Sequence, residues 1–91
     1  MINNEKVETV QDISLGTPYN VILFNDEDHT MNEVMDQIMK AITCSREQAA
    51  AIMFEAHFTG RAIVWTGHLE RAEHIAAVLE EIRLGTKVEP C

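Results

Sequence analysis

Two capping boxes constrain the fold of this chain more than any other sequence feature. Thr30 is followed three positions later by Glu33, and Ser45 is followed in the same way by Gln48. Apolar residues recur at spacings of three and four after each box, which is typical of amphipathic helices. The predicted helices cover residues 31–42 and 46–59.

Short segments rich in β-branched and aromatic residues flank these helices. Residues 19–24 and 61–66 have this composition and predict two strands. A third helical pattern covers residues 68–84, and residues 86–89 predict a final strand. Because the element order is β-α-α-β-α-β, we expect an α/β fold. It is a two-layer sandwich in which a three-stranded antiparallel sheet packs against three helices.

The domain organisation follows from length and polarity. Ninety-one residues suffice for one hydrophobic core and leave no room for a second. Residues 1–17 are polar and lack sustained periodicity, so we predict a flexible N-terminal tail before a folded domain at residues 18–91. The alternative for part of the tail is an extra edge strand at residues 7–10.

The charge balance excludes some classes of partner. The chain has 7 basic and 15 acidic residues and a net charge of −8, whereas nucleic-acid binding usually needs a basic surface. No apolar run approaches the roughly 20 residues that cross a bilayer, and the N-terminus does not resemble a secretory signal. We therefore expect a cytoplasmic protein that binds neither nucleic acid nor membrane. Its charge favours cationic ligands.

Few residues have the spacing that catalysis or metal binding requires. The chain contains no phosphate-binding loop, no nucleophile elbow and no HExxH or CxxC motif, so we predict no enzyme activity, cofactor or metal. Asn25 and Asp26 follow the first strand, and His57 lies near the end of the second helix. In one interpretation, Asn25 and Asp26 form a turn and His57 is a core histidine. In the other, the three polar side chains converge on one site, and the pattern alone leaves both interpretations open.

Three motifs resemble the ClpS adaptor family. They are VILFND at residues 21–26, with Met31 downstream, QAxxIM at residues 48–53 and HFxGRA at residues 57–62. The resemblance implies a bacterial, non-enzymatic adaptor for Clp proteases. Such adaptors bind N-degron peptides, whose first residue is Leu, Phe, Tyr or Trp, and deliver them to an AAA+ unfoldase such as ClpA.

The resemblance also implies roles for individual residues. Asn25, Asp26 and His57 would hold the free α-amino group of the peptide, and each offers a suitable acceptor atom. Glu70 is the best match to the acidic residue with which the family docks on the unfoldase. We expect the protein to act as a monomer.

The hydrophobic pocket implied by the resemblance departs from the family pattern. His29 and Thr30 would form its rim, where the family usually has Thr and Pro, and Ala56 replaces a usual Val and should enlarge it. The residues implied to line the pocket are Met31, Val34, Met53 and Ala56.

Two other functions stay open at this point. One is a peptide-interaction domain of the same fold whose remodelled pocket prefers a different ligand. The other is a zinc-dependent hydrolase that uses Asp26, His29 and His57 as ligands.

Overall fold

The structure, a computed structural model, describes residues 16–91. The predicted tail therefore lies outside the described residues except for Gly16 and Thr17, and the alternative strand at residues 7–10 lies wholly outside them. The elements in chain order are β1 (Tyr19–Phe24), α1 (Met31–Ala41), α2 (Arg46–Thr59), β2 (Arg61–Gly67), α3 (Leu69–Glu80) and β3 (Thr86–Pro90).

The three strands form one antiparallel sheet in the order β2-β1-β3. The helix α3 contacts α1 and all three strands, whereas α1 and α2 pack against each other and α2 also contacts β2. These contacts confirm the predicted α/β sandwich with the order β-α-α-β-α-β. The sheet register shifts beside Val21, where β2 carries one extra residue and forms a bulge.

Both capping boxes form, and they fix where α1 and α2 begin. The Thr30 hydroxyl accepts a hydrogen bond from the Glu33 backbone N–H at 3.1 Å, and the Glu33 carboxylate accepts one from the Thr30 N–H at 2.8 Å. Ser45 and Gln48 make the same reciprocal pair at 3.1 and 2.9 Å. Each pair satisfies two backbone donors, so the predicted starting residues are confirmed.

The prediction for the third helix was too long at both ends. His68 is the N-cap rather than a helical residue, and α3 ends at Glu80 instead of continuing to residue 84. Arg83 has a left-handed backbone with φ of 67°, which ends the helical path. Leu84 is nevertheless buried in the core, which is why the apolar spacing of the sequence continued past the true end.

Smaller boundary errors affect three other elements. The helix α1 stops one residue before the predicted end because Ile42 is its C-cap with an extended backbone. The strand β2 includes Gly67, which lies under the Trp65 indole with no space for a Cβ atom, and it pairs with Tyr19. The strand β3 includes Pro90, which also lies opposite Tyr19.

The core lies between the sheet and the helices. Val21 and Leu23 point from β1 into it, where the buried side chains of the three helices meet them. Apolar core residues of β1, α1 and α2 also line an opening at the end of β1. Within residues 16–91, no helix has both the length and the apolar character that crossing a membrane would require.

Candidate functional site

A cavity of about 270 Å³ lies where β1 ends, between the start of α1 and the C-terminal half of α2. Asn25, Asp26 and His57 all line it, so the structure brings together the three polar residues that the sequence places on separate elements. The Asn25 backbone N–H donates to the Gly60 carbonyl at 3.0 Å. This bond ties the loop after β1 to the C-cap of α2, the helix that carries His57.

Asp26 is the most constrained polar residue of the cavity. Its side chain is 11% exposed, and its Oδ2 accepts hydrogen bonds from the backbone N–H groups of Asp28 at 3.0 Å and His29 at 2.7 Å. The His29 ring Nδ1 lies 3.0 Å from the same oxygen. Burial alone would raise the pKa of the Asp26 carboxyl, but these hydrogen bonds outweigh it and lower the pKa below its ordinary value.

The carboxylate of Asp26 is therefore an anion at neutral pH, and its Oδ2 is engaged in the hydrogen bonds just described. Among residues 16–91, its Oδ1 makes no hydrogen bond. The Asn25 side chain has a similar arrangement, because its Nδ2 donates to Glu27 at 2.8 Å while its Oδ1 has no partner in the described part of the chain. Both residues thus keep an oxygen available to accept a hydrogen bond from a ligand.

His57 is exposed near the C-terminal end of α2. Its ring stands edge-on to the ring of Phe58, with centroids 4.9 Å apart and planes at 74°. The interpretation of His57 as a buried core histidine is therefore wrong. The imidazole instead lies at the edge of the cavity together with the two oxygen acceptors.

The apolar wall of the cavity is the open end of the hydrophobic core. Val34, Met53 and Ala56 are all buried members of the core, and all three line the cavity. Met31 also lines it but is 59% exposed, which places this flexible side chain at the opening. The small Ala56 side chain leaves space that a larger residue would occupy. These four residues are the ones expected to form the pocket.

The remaining candidate residues have different positions. His29 lines the cavity, whereas Thr30 does not, because its side chain is engaged in the capping box of α1. Glu70 is exposed in the first turn of α3 and lies outside the cavity. Thr30 therefore acts on the rim only indirectly, by fixing the start of the helix that carries Met31 and Val34.

Two aromatic residues of the site were missed by the sequence analysis. Phe54 and Phe58 both line the cavity, and their rings stack with centroids 6.1 Å apart and planes at 17°. Their spacing of four residues on one helix was the available signal, since side chains so placed are neighbours on a helix surface. The apolar stripe of Ala49, Met53 and Ala56 dominated the pattern and concealed it.

The arrangement does not favour a zinc site. Asp26 and His29 are in contact, but within residues 16–91 no three side chains of His, Cys, Asp or Glu are grouped so that they could hold a metal ion. The geometry instead offers hydrogen-bond acceptors around the opening of an apolar hole. Such a site suits a ligand with a cationic head and an apolar side group.

The known proteins that match this chain are ClpS adaptors. The family model for the ATP-dependent Clp protease adaptor protein ClpS matches residues 15–86. The ClpS adapter protein of Synechococcus elongatus is 32% identical over 87 residues, which cover 94% of this chain and 92% of that protein. The ClpS adapter protein of Gloeobacter violaceus is 38% identical over 73 residues, which cover 79% and 78%.

A solved structure shares the fold. Agrobacterium tumefaciens ClpS2, bound to L-phenylalaninamide, superposes with a TM-score of 0.78 at 23% identity and covers 82% of this chain and 98% of its own. The sequence matches span most of the chain and most of each relative. This chain therefore belongs to the ClpS family of adaptor proteins of the ATP-dependent Clp protease.

Proposed function

We propose that this protein is a non-enzymatic, monomeric adaptor that binds N-degron substrates and delivers them to an AAA+ Clp unfoldase in the cytoplasm. It recognises a free α-amino group together with a bulky hydrophobic first residue, namely Leu, Phe, Tyr or Trp. The observation that carries the proposal is one cavity that joins a buried apolar wall to acceptor oxygens of Asn25 and Asp26 that have no partner within residues 16–91.

The polar part of the site suits a protonated α-amino group. Such a group has three N–H donors, and Asn25, Asp26 and a ring nitrogen of His57 can supply three acceptors. The lowered pKa of Asp26 keeps its carboxylate charged, so at least one of these bonds is charge-assisted. A hydrogen bond to a charged group contributes roughly 1.5–3 kcal/mol. Acetylation of the amine removes the charge and two donors.

The apolar part of the site suits the first side chain of the peptide. Burying a Leu or Phe side chain stabilises a complex by roughly 1.5–3 kcal/mol, and binding costs at least about 4 kcal/mol in lost freedom. With three amine bonds included, the upper ends of these ranges leave about 8 kcal/mol, which corresponds to a dissociation constant of about 1 μM. The flexible side chains of Met31 and Met53 can adapt to aliphatic and aromatic groups, and Ala56 leaves room for the larger ones.

Similar proteins support both the delivery step and the recognition of the ligand. The curated relatives are named adapter proteins of the Clp protease, and Agrobacterium ClpS2 binds L-phenylalaninamide, which has both a free amine and an aromatic side chain. Glu70 is exposed on α3 and does not line the cavity, so it can contact an unfoldase while the cavity holds a peptide. We propose Glu70 as the docking contact for ClpA or a related unfoldase.

Fluorescence anisotropy with a labelled peptide that begins with Phe tests the proposal. We expect micromolar binding, and a loss of at least about tenfold when the same peptide is N-terminally acetylated, because charge-assisted hydrogen bonds are lost. Equal affinity for the two peptides would refute recognition of the amine. Binding that ignores the identity of the first residue would instead favour a peptide-interaction domain with a different ligand preference.

A histidine variant tests the same site from the protein side. His57→Ala should weaken binding by about 1–3 kcal/mol because one acceptor for the amine is removed. His74→Ala is the matched control, since His74 is an exposed histidine on α3 that does not line the cavity. If both variants bind the peptide as the unmodified protein does, His57 has no part in recognition.

A further inference from the structure

An exposed aromatic surface adjoins the opening of the cavity on α2. It consists of Phe54, which is 41% exposed, and Phe58, which is 76% exposed, and we call this pair the aromatic ledge. The two rings stack on each other and so present one continuous apolar surface to solvent. Exposed apolar clusters of this kind mark binding surfaces more often than isolated exposed residues do.

The ledge is continuous with the site that the proposed function uses. Phe58 contacts the His57 ring edge-on, with centroids 4.9 Å apart, and both residues line the cavity. The ledge therefore begins directly beside one of the groups proposed to hold the α-amino group. Met31, which is 59% exposed, also lines the same opening.

The geometry of an extended peptide relates this surface to a particular residue. Successive Cα atoms are about 3.8 Å apart, and successive side chains point in opposite directions. When the first side chain fills the cavity and the amine lies at His57, the second side chain must leave through the opening. It then lies within one residue's length of the Phe58 ring.

We propose that the aromatic ledge is a subsite for the second residue of the degron and selects a large apolar or aromatic side chain there. This inference rests on the proposed function and makes it more specific. The size of the ledge fits a single side chain better than a protein partner. The exposed area of two partly exposed rings is far smaller than the roughly 800 Å² per partner that a stable protein interface buries. A single Leu, Phe or Trp side chain covers a surface of this size.

The test is an anisotropy series with peptides that share Phe at the first position and differ only at the second, which is Ser, Leu or Trp. We expect the Leu and Trp peptides to bind about tenfold more tightly than the Ser peptide, a difference of about 1.4 kcal/mol. In Phe58→Ala, the ratio between the Trp and Ser peptides should fall to within about twofold of unity. Phe54→Ala should reduce the same ratio.

Ile63→Ala is the matched control for loss of an exposed apolar side chain. Ile63 is 50% exposed and alternates along β2 with the buried Ala62 and Val64, so it faces away from the helices and the cavity. The control should keep the full ratio between the Trp and Ser peptides. Circular dichroism of all variants confirms that the fold is retained.

The possible outcomes separate this inference from the proposed function. Binding that depends on the first residue and on a free amine, but not on the second residue, overturns the subsite and leaves the proposed function standing. A tenfold preference that Phe58→Ala leaves intact also overturns it. If no Phe-initiated peptide binds, both proposals fail. If sedimentation shows a dimer that Phe58→Ala dissociates, and the second residue has no effect, the ledge is a self-association surface instead.

Discussion

Replacement of Asp26 by Asn is the sharpest perturbation of the proposed amine site. The change keeps the size of the side chain and removes its negative charge, so the ammonium group of a ligand loses a charge-assisted hydrogen bond. Such a bond contributes roughly 1.5–3 kcal/mol, which corresponds to a weakening of about 10- to 150-fold. We expect this loss in an anisotropy titration with a Phe-initiated peptide.

The same substitution also affects the loop, and its magnitude follows from the structure. Asp26 Oδ2 accepts from two backbone N–H groups and lies 3.0 Å from the His29 ring. An Asn oxygen still accepts from those N–H groups, but the bonds are no longer charge-assisted. We expect the free energy of unfolding to fall by about 1–2 kcal/mol, which urea titration measures and which is too little to unfold a typical domain.

Asp36→Asn is the matched control because it makes the same change in net charge outside the cavity. Asp36 is 66% exposed in its pair with Arg46, with Oδ1 and Nη1 2.8 Å apart. An exposed pair of this kind contributes at most about 1 kcal/mol to stability, and its loss should leave peptide affinity unchanged. If both variants weaken peptide binding equally, the effect is long-range electrostatics and the assignment of Asp26 to the amine site is refuted.

Two further predictions concern stability. Because the folded protein lowers the pKa of Asp26 from its ordinary value of 3.8, this carboxylate stabilises the fold above that pH. In urea titrations, the unmodified protein should therefore have a higher free energy of unfolding than Asp26→Asn at neutral pH. This difference should begin to shrink below pH 3.8 and vanish once the pH falls below the folded pKa. A difference that stays constant down to about pH 2 would contradict this assignment. Gly60→Ala should lower the free energy of unfolding by about 1–2 kcal/mol, because Gly60 has φ of 97° and an alanine is strained there. Gly85→Ala, where the nearest atom is an ordinary 3.7 Å from the added carbon, should cost less, and equal losses in the two variants would argue against backbone strain at Gly60.

The elements that the sequence predicted well are those whose signals are local. The boxes at Thr30 and Ser45 act within four residues, so they fix the starts of α1 and α2 before any tertiary contact forms. Gly60 ends α2 in the left-handed conformation for the same local reason. The end of α3 was not predictable in this way, because Leu84 keeps a helical spacing and only the turn at Arg83 shows that it reaches the core by another path.

The sequence also identified the residues of the candidate site, but not how they are used. The motifs that resemble the ClpS family point to Asn25, Asp26 and His57, and their burial, partners and exposure do not follow from any pattern. Val34 and Met53 have the spacing of core residues, and they are core residues. That they also line an opening depends on where α1 and α2 meet the end of β1, which spacing alone does not show.

Sequence alone therefore determined the order of the elements, the helix starts and the family, because these depend on neighbouring residues or on motif matches. Only the tertiary structure decided that Asn25, Asp26 and His57 line one cavity and that Val34, Met53 and Ala56 form its buried wall. Those features arise where segments distant along the chain meet, and the packing of whole elements sets their distances and exposures.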